Sequence, residues 1–312
     1  MSKKNKIHLL YVDKPQILQN CFIAQLHEVL CQHYEIAYIS LVDLTLGNYA
    51  IPKEGEVIFS VLKQRLWRRH IPFLARLAEY GKLVMYDQDP WEAYHDKASS
   101  PGVYKNLCQL VPINRILVTS GWWANYIREV DSIPVKFVRM GVLAHNCKLG
   151  KSFEHRAHTL AFKGSVHKHR RDYFDFMKSK GYIVECLPPG SYKQFLKDIE
   201  EIGIFIHDEH ADVKINNVLS YNGLWIKDIE VAAKGCFSIR NSDLDMNNYR
   251  IDEIPTIFTY DSIENAPEII DEIMAMPPAL KKEMVEHAVE TIRKRNDWMT
   301  VIRELNQALN DA

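Results

Sequence analysis

Short apolar runs separated by helical patterns recur along the whole chain, and this alternation limits the possible folds more than any single motif. In the first half, Ile7 to Val12, Glu35 to Leu41, Val57 to Val61, Leu83 to Tyr86, Ile116 to Thr119 and Val135 to Val142 read as strands. Helices are predicted over Gln16 to His33, Leu66 to Tyr80 and Trp122 to Glu129. Strands alternating with helices favour a parallel sheet covered on both faces. Between His145 and Ala157 the periodicity fails and polar residues dominate, as in a linker. It then resumes, with strands predicted at Thr159 to Phe162, Tyr182 to Leu187, Ile202 to His207, Cys236 to Ile239 and Thr256 to Tyr260. Helices over Arg170 to Lys180 and Tyr192 to Glu201 lie among them, and Ala279 to Leu309 reads as helical throughout. The expected organisation is an N-terminal doubly wound α/β domain over 1–145, a second over 146–278 and a helical segment over 279–312 that packs back on the first domain.

Composition narrows the function classes. A chain of 312 residues fits two domains of ordinary size. With 47% hydrophobic and 25% charged residues it reads as globular, and a formal charge of −1 supplies no net field for nucleic acid, so no nucleic-acid partner is expected. No run approaches the ~18 to 20 apolar residues of a membrane span. The start, Met1-Ser-Lys-Lys-Asn-Lys6, lacks the apolar core of a signal peptide. The expected location is the cytoplasm, or the periphery of the inner membrane surface. The six cysteines are scattered with no C-x-x-C pair, so they read as reduced thiols and no metal site is expected. Dinucleotide, P-loop and nucleophile-elbow motifs are absent, which disfavours a dehydrogenase, a P-loop NTPase and a serine hydrolase.

The densest local signal is Asn222-Gly-Leu-Trp-Ile-Lys-Asp-Ile-Glu230-Val-Ala-Ala-Lys-Gly235-Cys-Phe-Ser-Ile239. Trp225, Ile229, Ala232 and Ala233 recur at helical spacing as an inner face, with Glu230 one residue off it. A carboxylate in the last turn of a helix opposes the macrodipole, so it needs another reason to be there. Gly235 can take a positive φ and end the helix, and an apolar strand follows. This helix, turn and strand resemble the E-A-x-A-x-G-like element of GT-B glycosyltransferases, with Glu230 and Gly235 at the family spacing. Among these the chain looks most like the spore-maturation type and the related group-one transferases, some of which build surface polysaccharide.

That resemblance implies two Rossmann-like doubly wound domains facing across a cleft, and transfer of a sugar from a nucleotide-sugar donor to an acceptor hydroxyl. It implies the hexosyltransferase class, a UDP- or GDP-sugar donor, a carbohydrate, lipid-linked or protein acceptor, and no cofactor or required metal. Glu230 would accept hydrogen bonds from the ribose hydroxyls. Where many retaining members carry an earlier glutamate, this chain has Asn222. Asn222, Gly223 and Lys227 join the donor-binding set. A binding protein without turnover and a GT-B-like epimerase are the alternatives.

Phe162-Lys-Gly164-Ser165-Val-His-Lys-His-Arg170-Arg171 follows the first strand of the second domain. Gly164 and Ser165 can free backbone N–H groups at a helix start, where a diphosphate would be favoured, and Arg170 or Arg171 can grip its oxygens. The sequence does not say which arginine turns inward. Ser191 reads as a helix cap and Tyr192 as a base-stacking candidate. His207, Glu209 and His210 cannot converge on a metal from one strand, because neighbours point to opposite faces.

In the first domain Met85-Tyr86-Asp87-Gln88-Asp89-Pro90-Trp91-Glu92-Ala-Tyr94-His95 sets acidic groups beside aromatic rings. Asp87, Asp89 and His95 are the candidates for a general base. A competing reading has Asp89 cap a helix with Pro90 in its first position and Glu92 closing a capping box, a scheme that leaves Asp87 unused. Asp13-Lys14-Pro15 stands where related proteins have glycines. Ser120 reads as a cap before Trp122 and Trp123. Gly141 suggests unusual backbone angles between the domains.

Overall fold

The computed structural model describes residues 4–12, 21–95, 98–207, 214–215, 218–219 and 226–312. Asp13 to Pro15, the start of the helix predicted from Gln16, Glu209, His210 and the segment from Asn222 to Trp225 lie outside them. The chain divides into two compact units, residues 1–140 with 301–312, and residues 141–300.

The first unit runs β1 (Lys6–Tyr11), α1 (Cys21–His33), β2 (Glu35–Ser40), α2 (Leu41–Leu46), β3 (Val57–Ser60), α3 (Gln64–Arg69), α4 (Ile71–Ala78), β4 (Lys82–Asp87), α5 (Val103–Leu110), β5 (Ile113–Val118), α6 (Gly121–Asp131) and β6 (Val135–Phe137). Its six strands are parallel in the order β2-β1-β3-β4-β5-β6. Leu9, Leu10, Ile58, Phe59, Val84 and Met85 are buried in succession, the continuous apolar pattern of strands covered on both faces. The chain leaves β1 for one side of the sheet and returns for β3 on the other. A crevice forms at such a reversal, outside the carboxyl ends of the strands.

Local chemistry redraws several predicted boundaries. The helix expected from Leu66 to Tyr80 is two helices broken at His70, with Pro72 in the first turn of the second, where its missing N–H costs nothing. The strand expected to reach Leu41 stops at Ser40, whose hydroxyl accepts from Asp43 N at 3.0 Å while Asp43 bonds back in a capping box. Ser120 caps α6 as expected, accepting from Trp123 N at 3.0 Å. Gly141 has no positive φ. A Cβ there would lie 2.9 Å from Asn296 O and 3.0 Å from the Trp298 backbone, so close approach, not unusual angles, calls for glycine.

The second unit runs β7 (His158–Lys163), α7 (Lys168–Ser179), β8 (Glu185–Leu187), α8 (Tyr192–Ile199), β9 (Ile202–Ile206), the antiparallel pair β10 (Lys214–Ile215) and β11 (Val218–Leu219), α9 (Ile226–Ala232), β12 (Phe237–Asn241), α10 (Met246–Tyr249), β13 (Ile257–Tyr260), α11 (Ala266–Ala275) and α12 (Pro278–Arg295). Its main sheet is parallel in the order β13-β12-β9-β7-β8, so the reversal falls between β7 and β9. The tail is not one helix. It breaks after Arg295 and restarts as α13 (Trp298–Asn310), whose residues from Val301 belong to the first unit. There Tyr34 donates to Asn306 Oδ1 at 2.5 Å and Arg139 Nε to Glu304 Oε1 at 3.0 Å.

Candidate functional site

In the second unit the loop after β7 lies at the sheet reversal, and Gly164 turns it with φ 146°. The twelve-residue helix α7 begins at Lys168, four residues after that turn. Of the two arginines, Arg170 is buried and Arg171 is exposed. Arg170 donates from Nη1 to Ser165 O at 2.9 Å and lies over the Phe162 ring at 5.1 Å. Lys227 comes to the same ring from α9, its Nζ 5.4 Å from the centroid and 3.8 Å from where a Gly164 Cβ would sit. Two cations from different helices thus meet at one glycine turn, an arrangement that attracts an anion. Ser165 itself is exposed.

Glu230 is not on a solvated face. The helix α9 is buried nearly all round, and Glu230 is only 4% exposed. Its Oε1 accepts from the Tyr192 hydroxyl at 2.8 Å, and the Tyr192 ring stacks on Phe195 with 20° between planes. Tyr192 therefore supports the carboxylate. Ser191 caps α8 as expected, accepting from Gln194 N. After the helix, Gly235 has φ 71° and a second constraint, since a Cβ would lie 2.5 Å from Val285 Cγ1. The buried Arg156 fixes this turn, donating to the carbonyls of Lys151, Ile199, Ile202, Lys234 and Gly235.

Two residues before Glu230, the fully buried Asp228 holds a network that the sequence did not reveal. Its Oδ1 bonds His207 Nε2 at 2.7 Å and accepts from Ser238 Oγ at 2.6 Å, and its Oδ2 accepts from Arg240 Nη1 at 3.1 Å. Arg240 continues to Asp243 at 2.7 Å. Burial pushes the Asp228 carboxyl up, but the neighbouring His207 and Arg240 outweigh it and hold it down at about 2. His207 thus turns inward to lock α9 against the strand ends. Among the described residues no cluster of His, Cys, Asp and Glu could hold a metal ion.

In the first unit a cavity of about 300 Å³ opens at the β1/β3 reversal. Tyr11 and Val12 from β1, Leu62 to Leu66 around the start of α3, and Tyr86 to Asp89 with Glu92 after β4 line it. Asp87 is a buried member of this lining. Its Oδ2 accepts from Gln64 Nε2 at 2.5 Å and from the Tyr104 hydroxyl, and its Oδ1 accepts from Asp89 N at 3.0 Å. Burial raises its pKa to about 7, the nearby Asp89 adds to the rise, and the three hydrogen bonds oppose it. The same burial and the Asp87 charge push the Tyr104 hydroxyl well up, so it stays a donor.

The capping scheme for this segment is corrected. Asp89 is the N-cap of a 3-10 turn over Pro90–Ala93 with Pro90 in its first position, but its side chain makes no cap bond. Asp87 instead accepts the Asp89 N–H, as a short side chain bonding the backbone two residues on. Asp89 lines the cavity beside Asp87, while His95 is not among the lining residues and packs near Trp91 with ring centroids 6.2 Å apart. The structure therefore brings Asp87 and Asp89 together. On the second unit it brings Arg170 and Lys227 together at the Gly164 turn and sets Tyr192 against Glu230, with Asn222 and Gly223 outside the described residues.

No protein-family model matches the sequence, and no curated protein does. Solved structures do match. An alpha-glucosyltransferase in complex with UDP and a 13-mer DNA containing an HMU base superposes with a TM-score of 0.67 at 12% identity, over 98% of this chain and 99% of that one. Anabaena HepE in complex with UDP and glucose gives 0.65 at 11% identity, over 97% and 99%. Sucrose-phosphate synthase from Thermosynechococcus elongatus gives 0.62 at 10% identity, over 98% of each chain. The fold is GT-B. In a GT-B fold the two parallel sheets carry their ligands beyond the strand ends, and both sites described above lie there. Among the described residues no helix of this GT-B chain is long and apolar enough to cross a membrane.

Proposed function

We propose that the protein is a glycosyltransferase that takes a sugar from a nucleotide-sugar donor and passes it to an acceptor hydroxyl. The single observation that carries the reading is that the helix bearing the buried Glu230 also brings Lys227 to the Phe162 ring that Arg170 covers at the β7 reversal, in a fold whose neighbours were solved with UDP. A carboxylate suits the hydroxyl donors of a ribose, and two cations at a glycine turn suit a diphosphate. UDP-sugars are the first donors to test, and a hexose is the first sugar. In this reading Gly164, Ser165, Arg170 and Lys227 hold the diphosphate, Glu230 the ribose, and Tyr192 orients Glu230.

Asp87 is the general base. A buried carboxyl poised at about 7 can accept the proton of an attacking hydroxyl near neutral pH. Asp89 raises it and His95 stands outside the cavity, so the base role rests on Asp87. The overall charge of −1 does not exclude nucleic acid as an acceptor, since a neighbour of the same fold was solved with DNA. Calorimetric titration with UDP and GDP, followed by release of labelled sugar from UDP-hexoses, tests the proposal. Binding in the micromolar to millimolar range is expected, and binding of neither nucleotide overturns the donor site.

A further inference from the structure

The cavity of the first unit has two unlike walls. On the β4 side stand the carboxyls of Asp87, Asp89 and Glu92, with Ser99 Oγ donating to Glu92 at 3.0 Å. On the α3 side stand Lys63 and Arg65. Between them Gln64 is 2% exposed and spends both amide hydrogens, donating to Asp87 Oδ2 at 2.5 Å and Asp89 O at 2.9 Å. Its Oε1 is buried and has no hydrogen-bond partner. A buried acceptor left in this state is costly, and a ligand hydroxyl in the cavity would satisfy it.

The basic wall extends beyond the cavity. From Val57 to Ala78 the chain has five Lys or Arg residues, at 63, 65, 68, 69 and 76, and no Asp or Glu. Trp67 is fully buried, with Nε1 donating to Ser60 Oγ at 3.2 Å, and this fixes α3 about its axis. Arg65, Arg68 and Arg69, spaced at i, i+3 and i+4, then share one exposed face. Among the described residues the side chains of these three and of Lys63 take part in no hydrogen bond or ion pair. The Arg65 to Arg69 stripe is only about 6 Å long at 1.5 Å per residue. That length suits the phosphate of one headgroup. A duplex carrying a charge every ~1.7 Å would call for a longer track, and the carboxyls of the opposite wall would repel it.

We propose that this cavity takes a phosphate-bearing polyol or sugar, with a hydroxyl donating to Gln64 Oε1 and the phosphate lying on Arg65, Arg68 and Arg69. The compound is the acceptor, which rests on the glycosyltransferase reading; the site itself does not. A neutral sugar would leave the cations unused, and a bare anion would leave Gln64 and the carboxyls unused. The bipolar lining matches a molecule with both ends.

The test is calorimetry on the whole protein with glucose 6-phosphate, glycerol 3-phosphate, glucose, glycerol and inorganic phosphate. Co-sedimentation with phosphatidylglycerol vesicles and titration of a duplex oligonucleotide accompany it. A phosphorylated probe should bind roughly tenfold or more tighter than its unphosphorylated partner and than inorganic phosphate. The Arg65→Ala/Arg68→Ala/Arg69→Ala variant should lose that preference while binding UDP like the parent. Vesicle binding lost in the same variant, without binding of the soluble probes, supports the proposal with the phosphate on a lipid. Inorganic phosphate binding as tightly as the sugar phosphates removes the hydroxyl half. Equal binding by parent and variant overturns the site, as does variant-sensitive duplex binding without binding of any small phosphate. Sugar-phosphate binding without UDP binding would instead remove the donor reading and leave this one intact.

Discussion

Asp87 in the first unit and Asp228 in the second are both buried aspartates beside the carboxyl ends of a parallel sheet, yet their carboxyls are driven in opposite directions. Asp87 has neutral donors, Gln64 and Tyr104, and a like-charged neighbour in Asp89, and its pKa rises to about 7. Asp228 has Arg240 and His207 against it, and its pKa falls to about 2. Burial alone raises both. The partner decides the sign: Asp87 is poised to exchange a proton near neutral pH, whereas Asp228 stays ionised against the cation it holds.

Removing Asp228 is the harshest way to break the contrast. Asp228→Ala removes a carboxylate partner from the fully buried Arg240, and should cost about 3 to 5 kcal/mol in urea unfolding. A loss below about 1 kcal/mol would show that the network is not structural.

The pH dependence of stability sharpens the same comparison. A folded pKa raised from about 4 to about 7 gives stability that is full below pH ~4 and lost as pH rises through 7, on the order of 4 kcal/mol for Asp87. Asp228, depressed to about 2, gives stability that is present above pH ~4 and lost as pH falls through 2. Asp87→Asn should therefore flatten the loss between pH 4 and 7. It should also lower turnover ~100-fold with nucleotide affinity unchanged. Parent activity should climb as pH passes about 7. Full activity in Asp87→Asn would remove the base and leave the buried group structural.

Smaller effects probe Glu230. Glu230→Ala deletes a charged acceptor and should weaken UDP binding by about 1.5 to 3 kcal/mol by calorimetry in a folded protein. Tyr192→Phe removes only the hydroxyl that donates to Glu230, so a loss of about 0.5 to 1.5 kcal/mol is expected. If Tyr192→Phe costs as much as Glu230→Ala, the tyrosine contacts the ligand itself and does more than position the carboxylate.

What the sequence alone determined was what neighbours along the chain can settle. The alternation of apolar runs and helical patterns specified two parallel-sheet units, because periodicity records which faces are buried. The Glu230 to Gly235 spacing specified a helix, a left-handed turn and a strand, because those depend on residues within a few positions. Ser120 and Ser191 read correctly as caps for the same reason. The tertiary structure decided the rest. Asp87 owes its environment to Gln64, 23 positions back, and Tyr104, 17 positions on. Asp228 meets His207 and Arg240 from two strands, Arg156 reaches Gly235 across 79 positions, and Lys227 joins Arg170 over one phenyl ring. Capping chemistry misassigned Asp89 because a local rule cannot know that the neighbouring Asp87 is held by two distant donors. Proton affinity and charge convergence follow distances in space, and only folding sets those.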